Sequence, residues 1–168
     1  MNILKYSAVA TLAFVFGLVA ASFAAKAALP HAMFKETQSR FDHDQTLDVI
    51  RQSIAKQAGW NLMAEIDQQK AIVSGGGQDP GRFDILKFCH SGHASEMLSD
   101  DDRRHFGVMM PVSVAVYEKA DGKTYVSLVN GSIISRVFGG EYERIIRKVR
   151  YDMEEMYRFM HLDLDVLD

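Results

Sequence analysis

A single cysteine, Cys89, serves the whole chain, so no internal disulfide can form. In an exported protein such a thiol is a buried small hydrophobe, a metal ligand, a reactive group or half of an intermolecular bridge. Clustered positive charge is scarce as well. Lysine and arginine total 19 against 22 acids, and the basic run Arg144 to Arg150 is diluted by acids on both sides. Nucleic acid needs a Lys/Arg-rich surface to neutralise its phosphates, so it is not an expected partner. Neither C-x-x-C nor C-x-x-C-H occurs, which removes covalent haem attachment. The glycine-rich stretch SGGGQDPGR, Ser74 to Arg82, lacks a Lys-Ser/Thr ending and G-x-G-x-x-G spacing. It reads as a flexible connection and not as a phosphate cradle.

Charge is also missing from a long run near the N-terminus. Lys5 ends a short basic start, Tyr6 to Ala25 runs twenty residues without a charge, and Lys26 closes the run. Ala25-Lys26-Ala27 puts small residues where signal peptidase needs them, so residues 1–27 are expected to be a signal peptide removed before Ala28. Twenty residues at a rise of ~1.5 Å also span a ~30 Å hydrocarbon core, which makes an uncleaved anchor the competing expectation. Either way the remainder is expected in the periplasm, free or anchored to the inner membrane and facing the periplasm.

The chain beyond Ala27 has the patterning of one domain. HAMFKETQSR, His31 to Arg40, has weak strand character. Asp42, with Gln45 three residues on, predicts a helix N-cap, and Leu47, Ile50, Ile54 and Ala58 repeat near a 3.6-residue period. Gly59 is the expected stop, at the C′ position. WNLMAEID and FDILKFCH read as strands, the second ending at Cys89 and leading through Ser91 as N-cap into a short helix. SDDDRRHFG reads as a polar loop. Asp121-Gly122 between the β-rich runs Val108 to Glu118 and Lys123 to Asn130 predicts a hairpin. Asn130 to Gly140 is a turn with a short apolar helix. From Glu141 to Met160 one stripe carries Tyr142, Ile145, Ile146, Val149, Met153, Met156, Tyr157 and Met160, the pattern of an amphipathic helix, and HLDLDVLD is an acidic tail expected to fray. This order predicts a two-layer α+β domain: a largely antiparallel sheet with helices packed on one face, plus a long C-terminal helix that with its acidic tail occupies 141–168.

TLDVIRQSIAKQAGWNLMAEID, FDILKFCHSGHASEML, FGVMMPVSVAVYEKADGKTYVSLVN and SIISRVFGG together resemble the bacterial family called domain of unknown function 302. The likeness runs from Phe34 to Gly140, within a domain bounded here as 28–140. It implies a small α/β domain that is often dimeric, and it brings no established activity. Many members carry Gly-Asn-Pro, or Cys followed by Asn-Pro, where this chain has Cys89-His90-Ser91. Cys89 matches the cysteine-bearing members, whereas His90 and His93 depart from the usual pattern.

The residues themselves support three readings of this cluster. Thiolate and imidazole suit zinc or copper, and thioether sulfur favours Cu(I), so Cys89, His93, His90, Met109 and Met110 are candidate metal ligands. Non-covalent haem held by His or Met belongs to the same class. Cys89 and His90 are neighbours on a strand and point to opposite faces, so only one of them enters a site unless the strand ends there. The second reading is thiol chemistry, sulfur carriage or redox, with Cys89 activated by a helix N-terminus and an imidazole. The third is structural: Cys89 buried, the histidines at the surface, the methionines filling core. No nucleophile elbow or placed third residue marks a hydrolase, and the expected role is a non-catalytic envelope binding or accessory protein. A homodimer is the expected assembly. A membrane-anchored subunit of a larger complex is a further expectation if the N-terminal segment is kept.

Overall fold

The computed structural model describes residues 2–160, with side chains from 14 to 159. The chain divides into two units, Met1–Met33 and Phe34–Asp168. The first is a single helix, α1 (Asn2–Met33). Its Phe14–Met33 stretch is long and apolar enough to cross a membrane, and none of it is buried. Phe16 and Phe23 are exposed, as expected of a segment whose environment is lipid or a translocation channel. The expected cleavage point after Ala27 lies inside this helix.

The second unit is α+β. Its strands are β1 (Phe34–Gln38), β2 (Trp60–Asp67), β3 (Phe83–His90), β4 (Val112–Glu118) and β5 (Thr124–Val129). They form one antiparallel sheet in the order β1-β5-β4-β3-β2. Helix α2 (His43–Lys56) starts at Asp42, whose carboxylate accepts from the backbone of Gln45 at 2.8 Å. Leu47, Ile50 and Ile54 of α2 are buried against Leu86 and Phe88 of β3, Val114 and Val116 of β4, and Val126 of β5. Alternation in the strands puts these residues on one face, and the same face receives Met153, Met156 and Tyr157 of α6 (Gly140–Tyr157). Phe88 is fully buried, and removing its ring would cost about 3–5 kcal/mol. A second apolar cluster joins Met97 of α4 (Ser91–Leu98) and Phe106 to Ile145 and Ile146 of α6.

Several local expectations are corrected. Helix α2 ends at Lys56 with Gln57 as its C-cap, so Ala58 is outside it and exposed, and Gly59 lies one residue past the C′ position while keeping a left-handed φ of 80°. Helix α3 (Gln68–Ser74), capped by the Asp67 carboxylate, is absent from the sequence-based expectation: Ala-Ile-Val within it has strand composition. The loop SDDDRRHFG is a 3-10 helix over Asp101–Met109, its first turn capped by Asp100. Strand β4 therefore begins at Val112 and not at Val108, after a proline that lacks the N–H a ladder requires. The hairpin at Asp121-Gly122 joins β4 to β5, and α5 (Gly131–Phe138) is capped by Asn130. The acidic tail HLDLDVLD and the side chain of Met160 lie outside the described residues.

Candidate functional site: a histidine–aspartate cluster at an apolar cavity

Strand β3 ends and α4 begins without a connecting residue, and that junction builds the site. The N-cap is His90 and not Ser91: its Nδ1 accepts from the backbone N–H of His93 at 3.1 Å. An Nδ1 that accepts leaves the proton of the neutral ring on Nε2. The two imidazoles stack with centroids 3.9 Å apart and planes inclined by 19°. The His90 ring sits over Gly59, where a Cβ would fall 2.5 Å from Nε2.

Alternation along β3 sets His90 on the helix-bearing face with Leu86 and Phe88, and Cys89 on the other. The histidine therefore enters the site. His93, one turn into α4, turns toward α6 and meets Asp152, with Nε2 and Oδ2 3.0 Å apart. The same Oδ2 accepts from Nε1 of Trp60, the first residue of β2, also at 3.0 Å. One carboxylate oxygen thus ties three elements together. Trp60 is 5% exposed and packs its ring on Phe88 and edge-on to both histidines.

Donor atoms of His90, His93 and Asp152 all lie within 4.8 Å of one another, and all three side chains are half-buried. A tetrahedral ion with bonds of about 2.0–2.2 Å requires neighbouring donors about 3.3–3.6 Å apart, so the set would have to draw in around a metal. The Trp60 N–H would then act as the outer hydrogen bond that orients the carboxylate. Among the described residues this is the one His/Cys/Asp/Glu group compact enough for an ion, and Cys89 is not in it. The Cys89 Sγ lies 4.0 Å from the carbonyl oxygen of His90, and burial pushes the thiol's pKa up.

All five residues singled out in the sequence nevertheless converge. Cys89, His90, His93, Met109 and Met110 border one cavity of about 130 Å³, together with Trp60, Met97, Phe106, Ile145, Val149 and Met153. Sequence reasoning missed Asp152 and Trp60. The (i, i+3) spacing of His90 and His93 is visible in the sequence, but the carboxylate that completes the set is more than fifty positions away, in a helix whose apolar stripe signals only packing.

Residues 35–159 match the profile of the family described as "Domain of unknown function DUF302". The matched stretch runs through α6, so the last helix belongs to the family domain instead of following it. The solved structure titled "Crystal structure of uncharacterized conserved protein DUF302 from Bacillus stearothermophilus" superposes with a TM-score of 0.67 at 14% identity, covering 77% of this chain and 98% of that one. No curated protein matches the chain. The family match over most of the length and the shared fold place this chain in the DUF302 family.

Proposed function

We propose that this chain is an exported, non-catalytic binding protein of the bacterial envelope that holds a divalent zinc or copper ion through His90, His93 and Asp152. The carrying observation is the 4.8 Å cluster, in which a carboxylate already oriented by Trp60 faces His93. Imidazole and carboxylate donors suit both ions. Cys89, Met109 and Met110 border the same cavity, and their soft sulfur would favour Cu(I) if the cluster rearranged toward them and the Cys89 side chain turned from the opposite face. Haem has less support, because a porphyrin is far larger than a cavity of about 130 Å³. The N-terminal helix supports delivery to, or retention at, the periplasmic face of the inner membrane. The protein acts as a homodimer, an assembly that rests on the habit of its family.

The test is metal analysis of the full chain after chelation and reloading with Zn²⁺ or Cu²⁺. One equivalent should be retained, and His93→Ala should abolish retention. Asp152→Asn should weaken it by more than about 10–100-fold, the range for losing only an outer hydrogen-bond partner of a ligand. Cys89→Ser should leave it unchanged. Metal that survives Asp152→Asn at full affinity but is lost in Cys89→Ser would move the site to the sulfur set. No retention by the parent chain would end the metal proposal.

The thiol reading is the weaker one. A reactive thiol needs a depressed pKa, and burial moves Cys89 in the opposite direction.

A further inference from the structure

We infer that the cavity beside the histidines is a binding site for a small apolar molecule about the size of a substituted benzene ring that carries one hydrogen-bonding atom. This second site adjoins the metal site and does not require the metal. Met97, Phe106, Ile134, Ile145, Val149 and Met153 wall the cavity, and none of them has a charged group. A cavity of about 130 Å³ is close to the ~150 Å³ engineered apolar cavity that accepts benzene. Close packing makes voids of this size few in a domain, so one that is partly open to solvent, at a site bordered by two imidazoles, has the form of a ligand pocket.

The walls and the mouth have different chemistry. The deep walls come from α4, α5, α6 and the 3-10 helix and are apolar. The imidazoles of His90 and His93 stand on the side where the sheet ends. The His93 Nε2 is engaged by Asp152, and its Nδ1 is the ring atom left to meet a ligand hydroxyl. An apolar ring seated among the methionines would therefore direct one polar substituent toward His93. Met97 and Met153, unbranched and polarizable, allow the walls to adapt to rings of differing shape and to contact their edges through sulfur. A long charged ligand is disfavoured, because its charge would be buried without a partner.

The matched probes are toluene and p-cresol, which differ by one hydroxyl, titrated into the full chain with and without Zn²⁺. Trp60, the sole tryptophan, borders the cavity and reports occupancy through its fluorescence, with calorimetry as the independent measurement. Both probes should bind saturably without metal. p-Cresol should bind about threefold to tenfold tighter, the worth of one net hydrogen bond. His93→Ala should reduce p-cresol to the affinity of toluene. Val149→Phe should fill the space and abolish both, and Ala94→Leu, on the cavity side of α4, is the second filling variant if the first does not fold. Absence of saturable binding by either probe, or binding that persists in a folded filling variant, would overturn the inference. Binding that appears only with Zn²⁺ would place the probe on the metal, overturning the cavity site while supporting the metal proposal. Binding without metal in a chain that retains no Zn²⁺ would do the reverse.

Discussion

The imidazole of His90 occupies the space that a side chain on Gly59 would need. A Cβ there would approach Nε2 to 2.5 Å, and Gly59 adopts a φ of 80° that side-chain-bearing residues rarely hold. Gly59→Ala therefore acts twice, straining its own backbone and displacing the ring that caps α4. We expect a loss of about 1–3 kcal/mol in urea unfolding. Because both penalties meet at one ring, His90→Ala and Gly59→Ala should be less than additive in a double-mutant cycle. Strict additivity would show that the contact has no energetic consequence.

Helices α4 and α6 are also joined at the surface. Glu96 accepts from Lys148 at 2.9 Å and from Arg144 at 2.5 Å, and these partners, Lys148 foremost, hold its carboxyl down at about 2. A carboxyl whose pKa is lower folded than unfolded stabilises the protein above the unfolded value and ceases to do so as pH falls through the folded one. Glu96→Gln should thus lower the urea midpoint at pH 6, and the gap to the parent chain should close between pH 4.5 and about 2. The group is exposed, so 1 M salt should shrink the effect as well. A gap that does not change with pH would trace the loss to side-chain contacts and not to charge.

Cys89 is half-buried, and its thiol titrates above the ordinary cysteine range because burial disfavours the thiolate. Alkylation by iodoacetamide at pH 8 should consequently be slower in the native chain than in the urea-unfolded one, by roughly tenfold for each unit by which burial raises the pKa. Zn²⁺ should leave the native rate unchanged, since the compact donor group excludes the thiol. Protection by Zn²⁺ would return Cys89 to the ligand set.

The N-terminal helix gives a mass-spectrometric prediction. Protein recovered from the periplasm should begin at Ala28, after Ala25-Lys26-Ala27. Intact Met1 in washed membranes would identify a retained anchor instead.

Much of the architecture is legible in the sequence because it rests on local periodicity. The stripe from Tyr142 to Tyr157 and the alternating valines of Val112 to Val116 bury the faces that their spacing assigns. Misreadings arise where local signals compete. Ala71-Ile72-Val73 carries β composition inside α3, and Asp100 caps a 3-10 helix whose first-turn acids, Asp101 and Asp102, give it the polarity of a loop. Of the candidate site, the histidines are visible because they are three residues apart. Asp152 is not, because the proximity of α6 to α4 is a tertiary fact with no local trace. The same limit hides the role of Trp60, whose N–H partner lies in that distant helix.

Strand β1 opens the sheet in sequence but pairs only with β5, with Phe34 opposite Val129 and Gln38 opposite Tyr125. The first strand to leave the ribosome must wait for the last before it can be hydrogen-bonded. The hairpins β2–β3 and β4–β5 and the pairing between them require far shorter loops to close, so they can assemble earlier. Until β5 has emerged, the sheet in the making holds β2, β3 and β4, with an unclaimed edge at β4. Completion of the domain is therefore tied to near-complete synthesis, and a chain cut short before β5 would leave β1 without a strand to join.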